Sequence, residues 1–156
     1  MTSVRRAVII GIGNEYRSDD GVGPAVVASL RGRVPVGVDL LISDGEPAGL
    51  IEAWTGADLV VVVDAVAGTQ PGLLHRVVLA GSDASRRAGL GAEAGASSHG
   101  LGLGTAIELA AALGRLPGTL IVHAVEAANF TQGVGLSAKV RDGMVELSAA
   151  VLADVG

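Results

Sequence analysis

Three side chains in this sequence form a chemically coherent set: Asp20, Asp64 and His99. Two carboxylate oxygens and one imidazole nitrogen suit a borderline divalent ion such as nickel, zinc or iron. A protein shell of three leaves coordination positions for water or substrate, as a hydrolytic metal requires. The three residues are far apart in sequence, and no H-E-x-x-H pattern fixes their geometry locally. A shared ion therefore depends on the topology of the fold. Each residue also has a structural alternative. Asp64 can accept loop N–H bonds at the end of a strand, and Asp20 can cap a helix beginning near Gly21 and Val22. His99 can be a helix-start residue bonded to backbone.

Other chemistries fit less well. The segment 11–23 (GIGNEYRSDDGVG) follows an apolar run and begins with the G-x-G of a dinucleotide fingerprint. The third glycine of that fingerprint is replaced by Tyr16, and Asp19 and Asp20 would repel a pyrophosphate at the helix start. No G-x-S-x-G elbow is present, so Ser43, Ser97 and Ser98 lack the setting of a serine nucleophile. An aspartic dyad of Asp20 and Asp64 sharing one proton would leave His99 unexplained. His75 and His123 fall on strands and read as scaffold. Asp19, Glu15 and Arg17 read as a solvated loop face, and Asp44 as a neighbour that orients its own loop or joins the site.

The elements that must position these residues alternate along the chain. Residues 7–11 (AVIIG) form a short apolar run rich in β-branched residues, the pattern of a strand buried on both faces. A helix follows over 22–30, with Pro24 in its first turn and Gly32 beyond its end. A second strand spans 38–43 and stops at the turn-like Asp44-Gly45-Glu46-Pro47. A short helix covers 50–54. The run 59–63 (LVVVV) is a third strand that stops at Asp64, and 74–79 is a shorter, edge-type strand suited to antiparallel pairing. Residues 80–98 are rich in Gly, Ala and Ser without periodicity, which predicts a mobile loop or lid. Residues 99–113 have a helical pattern, 119–125 a last strand, and 137–152 a closing helix with Ser137 as N-cap. This alternation predicts an α/β sandwich with helices on both faces of a mostly parallel sheet, in a single domain spanning 1–156. In such sheets ligands bind beyond the carboxyl ends of the strands, which puts Asp20, Asp44, Asp64 and His99 towards one rim.

Composition narrows the function classes. The chain has 156 residues, enough to bury about 70% of the unfolded surface in one core without a staple. Hydrophobic residues make up 49% and charged residues 17%, so the chain is not intrinsically disordered. The net charge of −5 and the scarcity of aromatics (Tyr16, Trp54 and Phe130) argue against nucleic-acid binding. Cysteine is absent, which excludes disulfides, thiolate metal sites and a cysteine nucleophile. Lys139 is the single lysine and has no P-loop around it. No segment reaches the roughly 18 apolar residues of a membrane span. Arg5 and Arg6 precede an apolar stretch, but no small-residue cleavage site follows, so a soluble, cytoplasmic protein is expected.

The stretches 11–23 (GIGNEYRSDDGVG), 44–49 (DGEPAG), 62–65 (VVDA) and 97–100 (SSHG) occur in this order in one family. With the loop 133–137 (GVGLS), they make the chain resemble the hydrogenase maturation proteases over nearly its whole length. Those endopeptidases trim the C-terminus of the large subunit of nickel–iron hydrogenases. The resemblance implies one α/β domain with a twisted five-stranded sheet between helices. It implies cleavage only after nickel has been placed in the precursor, so that nickel is supplied by the substrate and is not a permanent cofactor. It further implies that Asp20, Asp64 and His99 contact that nickel, with Asn14, Asp19, Asp44 and Gly45 behind them or against the substrate. The first contact is Glu in some relatives and Asp in others. The competing readings are a non-enzymatic nickel checkpoint protein of hydrogenase assembly and a metal-dependent peptidase acting on unrelated peptides.

Overall fold

The structure, a computed structural model, describes residues 6–80 and 102–156. The expected lid (80–98, apart from Ala80) and His99 lie outside the described residues. Five strands form one sheet: β1 (Ala7–Ile12), β2 (Val38–Ser43), β3 (Leu59–Ala67), β4 (Leu74–Ala80) and β5 (Thr119–Ala127). Their order is β2-β1-β3-β5-β4. All neighbouring pairs are parallel except β4 with β5, which is antiparallel.

The helices are α1 (Val22–Leu30), α2 (Pro47–Trp54), α3 (Gly102–Leu113), α4 (Ala138–Asp142) and α5 (Met144–Val155). They divide between the two faces. Val26 and Val27 of α1, Val140 of α4 and Leu147 and Val151 of α5 pack with Ile9, Val61 and Val63. Leu50 and Trp54 of α2 and Ile107 of α3 pack with Ile10, Val60 and Val62 on the other face. Successive residues of a strand face opposite sides, so runs such as Val60–Val63 feed both cores at once. Among the described residues no helix is long and apolar enough to cross a membrane.

Several boundaries differ from the sequence expectation. β3 does not stop at Asp64, because β5 pairs with it along its length, with Asp64 opposite Ala124 and Ala67 opposite Ala127. The turn expected at Pro47 is a helix start. Pro47 occupies the first helical position, where its missing N–H costs nothing, and the Glu46 side chain accepts from Ala48 N and Gly49 N. The closing helix is two helices, interrupted at Gly143.

The strand order reverses beside β1: β2 lies on one side of it and β3 on the other. In open α/β sheets such a switch point, here between the carboxyl ends of β1 and β3, is where ligands commonly bind. The start of α1 is pressed into it. A Cβ on Gly23 would lie 2.7 Å from both Val63 O and Ile12 N, and one on Gly11 would overlap the Gly23 carbonyl. Backbone therefore meets backbone where any side chain would force strand and helix apart. Gly23→Ala is expected to lower the unfolding free energy by about 1–3 kcal/mol, the cost of overpacking a fixed contact. Urea denaturation checks this; an unchanged midpoint would show that the helix start can lift away at no cost.

Candidate functional site

Beyond β1 the chain turns at Gly13, whose φ of +147° is open to glycine and whose added Cβ would overlap the Asp20 carbonyl. Residues 14–17 form a tight loop. Arg17 N donates to Asn14 O at 3.1 Å, and Tyr16 N to Asn14 Oδ1 at 2.9 Å. A 3-10 turn, Ser18–Gly21, then leads into α1. Asp20 lies on this turn, fully buried at 0% exposure, and its Oδ2 accepts from Asn14 N at 2.9 Å. Asp20 is not the cap of α1; Gly21 holds that position.

Asp64 lies within β3, 3% exposed, one residue beyond the Val63 carbonyl against which Gly23 packs. The 3-10 turn itself packs on β3. The topology thus brings the segments carrying Asp20 and Asp64 to the two sides of the switch point. By strand alternation Asp64 falls on the Val60/Val62 face, the one covered by α2 and α3. The first residue of α3, Gly102, is three positions after His99, and a Cβ there would overlap the Gly45 carbonyl. Both carboxylates are enclosed, although a shared ion would need positions open to water or substrate. Among the described residues no three His, Asp or Glu side chains gather as metal ligands.

Asp44 stands at the end of β2 on the same rim. It is exposed, and its Oδ1 accepts from Glu46 N at 2.9 Å, so it shapes its own turn, in which Gly45 adopts a φ of +88°. Asp19 departs from the sequence expectation. It is no solvated loop residue but is fully buried. Its Oδ1 accepts from Ser137 N at 2.7 Å, and its Oδ2 accepts from Ala128 N at 2.8 Å, Asn129 N at 3.1 Å and Ser137 Oγ at 2.9 Å. Ser137 precedes α4 as expected, but its hydroxyl turns to Asp19 and caps no helical N–H. The loop 128–137 therefore belongs to the site, a role not evident from residue types alone. Ser18 adds to the same junction: its Oγ donates to Thr131 O at 2.8 Å and its N to Gly133 O at 2.9 Å.

His75 and His123 are in the scaffold. His123, buried on β5, bonds Asp154 of α5 at 2.6 Å, and Arg76 of β4 reaches the same carboxylate at 2.7 Å. His75 on β4 bonds Glu126 of β5 at 2.8 Å. The bond from His75, assisted by the Gln70 N–H, holds the Glu126 carboxyl below its ordinary 4.5.

The model of the family described as hydrogenase maturation protease matches residues 26–154, most of the chain. The chain belongs to that family. The matched residues include Asp64 and His99 and begin after Asp20. No curated protein matches the sequence. The fold is that of solved maturation proteases. The hydrogenase maturating endopeptidase HybD from Escherichia coli superposes with a TM-score of 0.80 at 22% identity, over 95% of this chain and 90% of that one. An endopeptidase from Escherichia coli solved in solution gives 0.82 at 22% identity, over 96% and 91%. The nickel–iron hydrogenase maturation protease HybD from Thermococcus kodakarensis gives 0.73 at 21%, over 97% and 99%. As a maturation protease the chain is an endopeptidase, not a non-enzymatic checkpoint protein.

The lowered Glu126 carboxyl has a definite consequence for this protease. A carboxylate favoured in the folded state stabilises above its unfolded pKa, and that stability is lost as pH falls through the lower folded value. The contribution of Glu126 to wild-type stability is therefore expected to decline as pH falls below about 4.5, and Glu126→Gln to lose that part of the pH dependence. Thermal melts between pH 3 and pH 6 check the prediction; identical profiles would remove Glu126 from the acid response.

Proposed function

We propose that this protease removes the C-terminal extension of a nickel–iron hydrogenase large-subunit precursor once nickel is in place, and that it recognises the nickel through Asp20, Asp64 and His99. The observation that carries this reading is the approach of the Asp20 and Asp64 segments at the β1/β3 switch point, in a member of the hydrogenase maturation protease family. Carboxylates brought together at one rim would favour a cation, and the imidazole of His99 would complete a donor set that nickel accepts. Three protein donors leave room for ligands that the precursor itself provides. Nickel is thus part of the substrate.

Substrate-borne nickel held in this way polarises the scissile carbonyl or an attacking water, and a carboxylate not engaged by the ion takes up the proton. The chain's own residues supply orientation. Asn14 fixes Asp20 from the strand side, and the shared backbone contact with β3 fixes the turn relative to Asp64. Binding energy from nickel then discriminates a loaded precursor from an empty one.

The test is incubation of the purified protein with nickel-loaded and nickel-free precursor, followed by mass spectrometry. Loss of a C-terminal peptide only from the loaded form is expected; equal cleavage of both, or of neither, contradicts the reading. Asp20→Asn and Asp64→Asn keep side-chain shape and are expected to lower cleavage of loaded precursor by about two orders of magnitude or more, since even residues behind a metal ligand cost 10–100-fold. Far-UV circular dichroism and urea midpoints should stay close to wild type. Wild-type rates in Asp64→Asn would remove that residue from the mechanism.

A further inference from the structure

We infer that Asp19 is a positioning residue that sets the orientation of Asp20 by tying the 3-10 turn to the loop 128–137. The turn spans only Ser18–Gly21, too short to hold its own shape. It also starts from Ser18 at a φ of +55°, a left-handed conformation that a serine keeps only when its surroundings impose it.

The imposition comes from across the chain. The Asp19 carboxylate takes its four hydrogen bonds from Ala128 N, Asn129 N and the N–H and hydroxyl of Ser137. Asp19 N in turn donates to Asn129 O at 3.0 Å. All four donors to the carboxylate are uncharged, so they disperse its charge without a counter-ion; such charge-assisted bonds are short and strong. Both oxygens are needed as acceptors. An asparagine would turn an N–H2 group towards at least one backbone N–H, setting donor against donor at a buried position. The next residue, Asp20, bonds in the other direction, to Asn14 N. With Asp19 anchored on one side and Asn14 on the other, the Asp20 carboxylate has little freedom left.

The consequence for cleavage rests on the nickel-recognition reading given above. A misplacement of about 1 Å at a reacting centre can cost 10²-fold in rate. The experiment compares Asp19→Asn and Ser137→Ala with wild type. The readouts are carboxyl 13C chemical shifts at fixed pH and cleavage of nickel-loaded precursor. Ser137→Ala removes one of the four bonds and keeps the backbone donor, so it reports even if Asp19→Asn does not fold. The Asp20 carboxyl resonance is expected to move in Ser137→Ala, and further in Asp19→Asn, with the His123 ring signals unchanged. Cleavage is expected to fall about 10²-fold in Asp19→Asn and less in Ser137→Ala. An Asp20 resonance that stays in place in Ser137→Ala, with wild-type cleavage, overturns the inference. A resonance that moves while cleavage holds leaves Asp19 as the residue that positions Asp20, and it is the role of Asp20 in nickel recognition that falls.

Discussion

Backbone contact between the end of β1 and the start of α1 is the constraint on which the carboxyl rim depends. Gly11 and Gly23 have no Cβ, so the helix start can sit against Ile12 and Val63, and Gly13 lets the returning turn close over it. With any larger residue at these points α1 would stand off from the sheet, and the turn carrying Asp20 would move with it. Because β1 is central and flanked by β2 and β3, the same contact seats that turn where the sheet order reverses. The glycines thus allow the close helix–strand approach that glycines give nucleotide-binding folds, but the turn they seat here carries acidic residues. Acidic residues there disfavour a phosphate and, on the reading proposed above, suit a cation.

Burial gives those carboxylates their meaning. Taking a carboxylate out of water costs hydration, which hydrogen bonds or a cation must offset. Asp19 meets that cost by surrounding its charge with neutral N–H and O–H donors, and Asp20 accepts from Asn14 N. The two adjacent aspartates thus tie the turn in two directions, Asp19 to the loop 128–137 and Asp20 to Asn14. On the reading proposed above, in which the metal comes with the substrate, selectivity follows because the full complement of ligands assembles only when a loaded precursor arrives.

Much of this was legible in the sequence, for physical reasons. α1 and β2 begin and end where glycine, proline and apolar period say they should. The alternation of strands and helices predicts which chain segments reach the same rim, and the segments carrying Asp20, Asp44 and Asp64 do so. What could not be read depends on partners distant in the chain. Asp19 looks like a loop residue because its donors lie 109 to 118 positions later. β3 outruns Asp64 because β5 keeps pairing with it, a fact that a local pattern does not contain. Pro47 was a turn residue by habit and a helix start by its Glu46 cap.

The central claim is that carboxylates of this rim touch the nickel carried by the precursor. Nickel K-edge X-ray absorption tests it directly, on loaded precursor alone and rapidly frozen with the protease. The predicted result is a gain of oxygen or nitrogen neighbours at nickel on adding the wild-type protein, absent with the Asp20→Asn, Asp64→Asn double variant. A nickel environment that is the same with wild type and double variant would contradict the account.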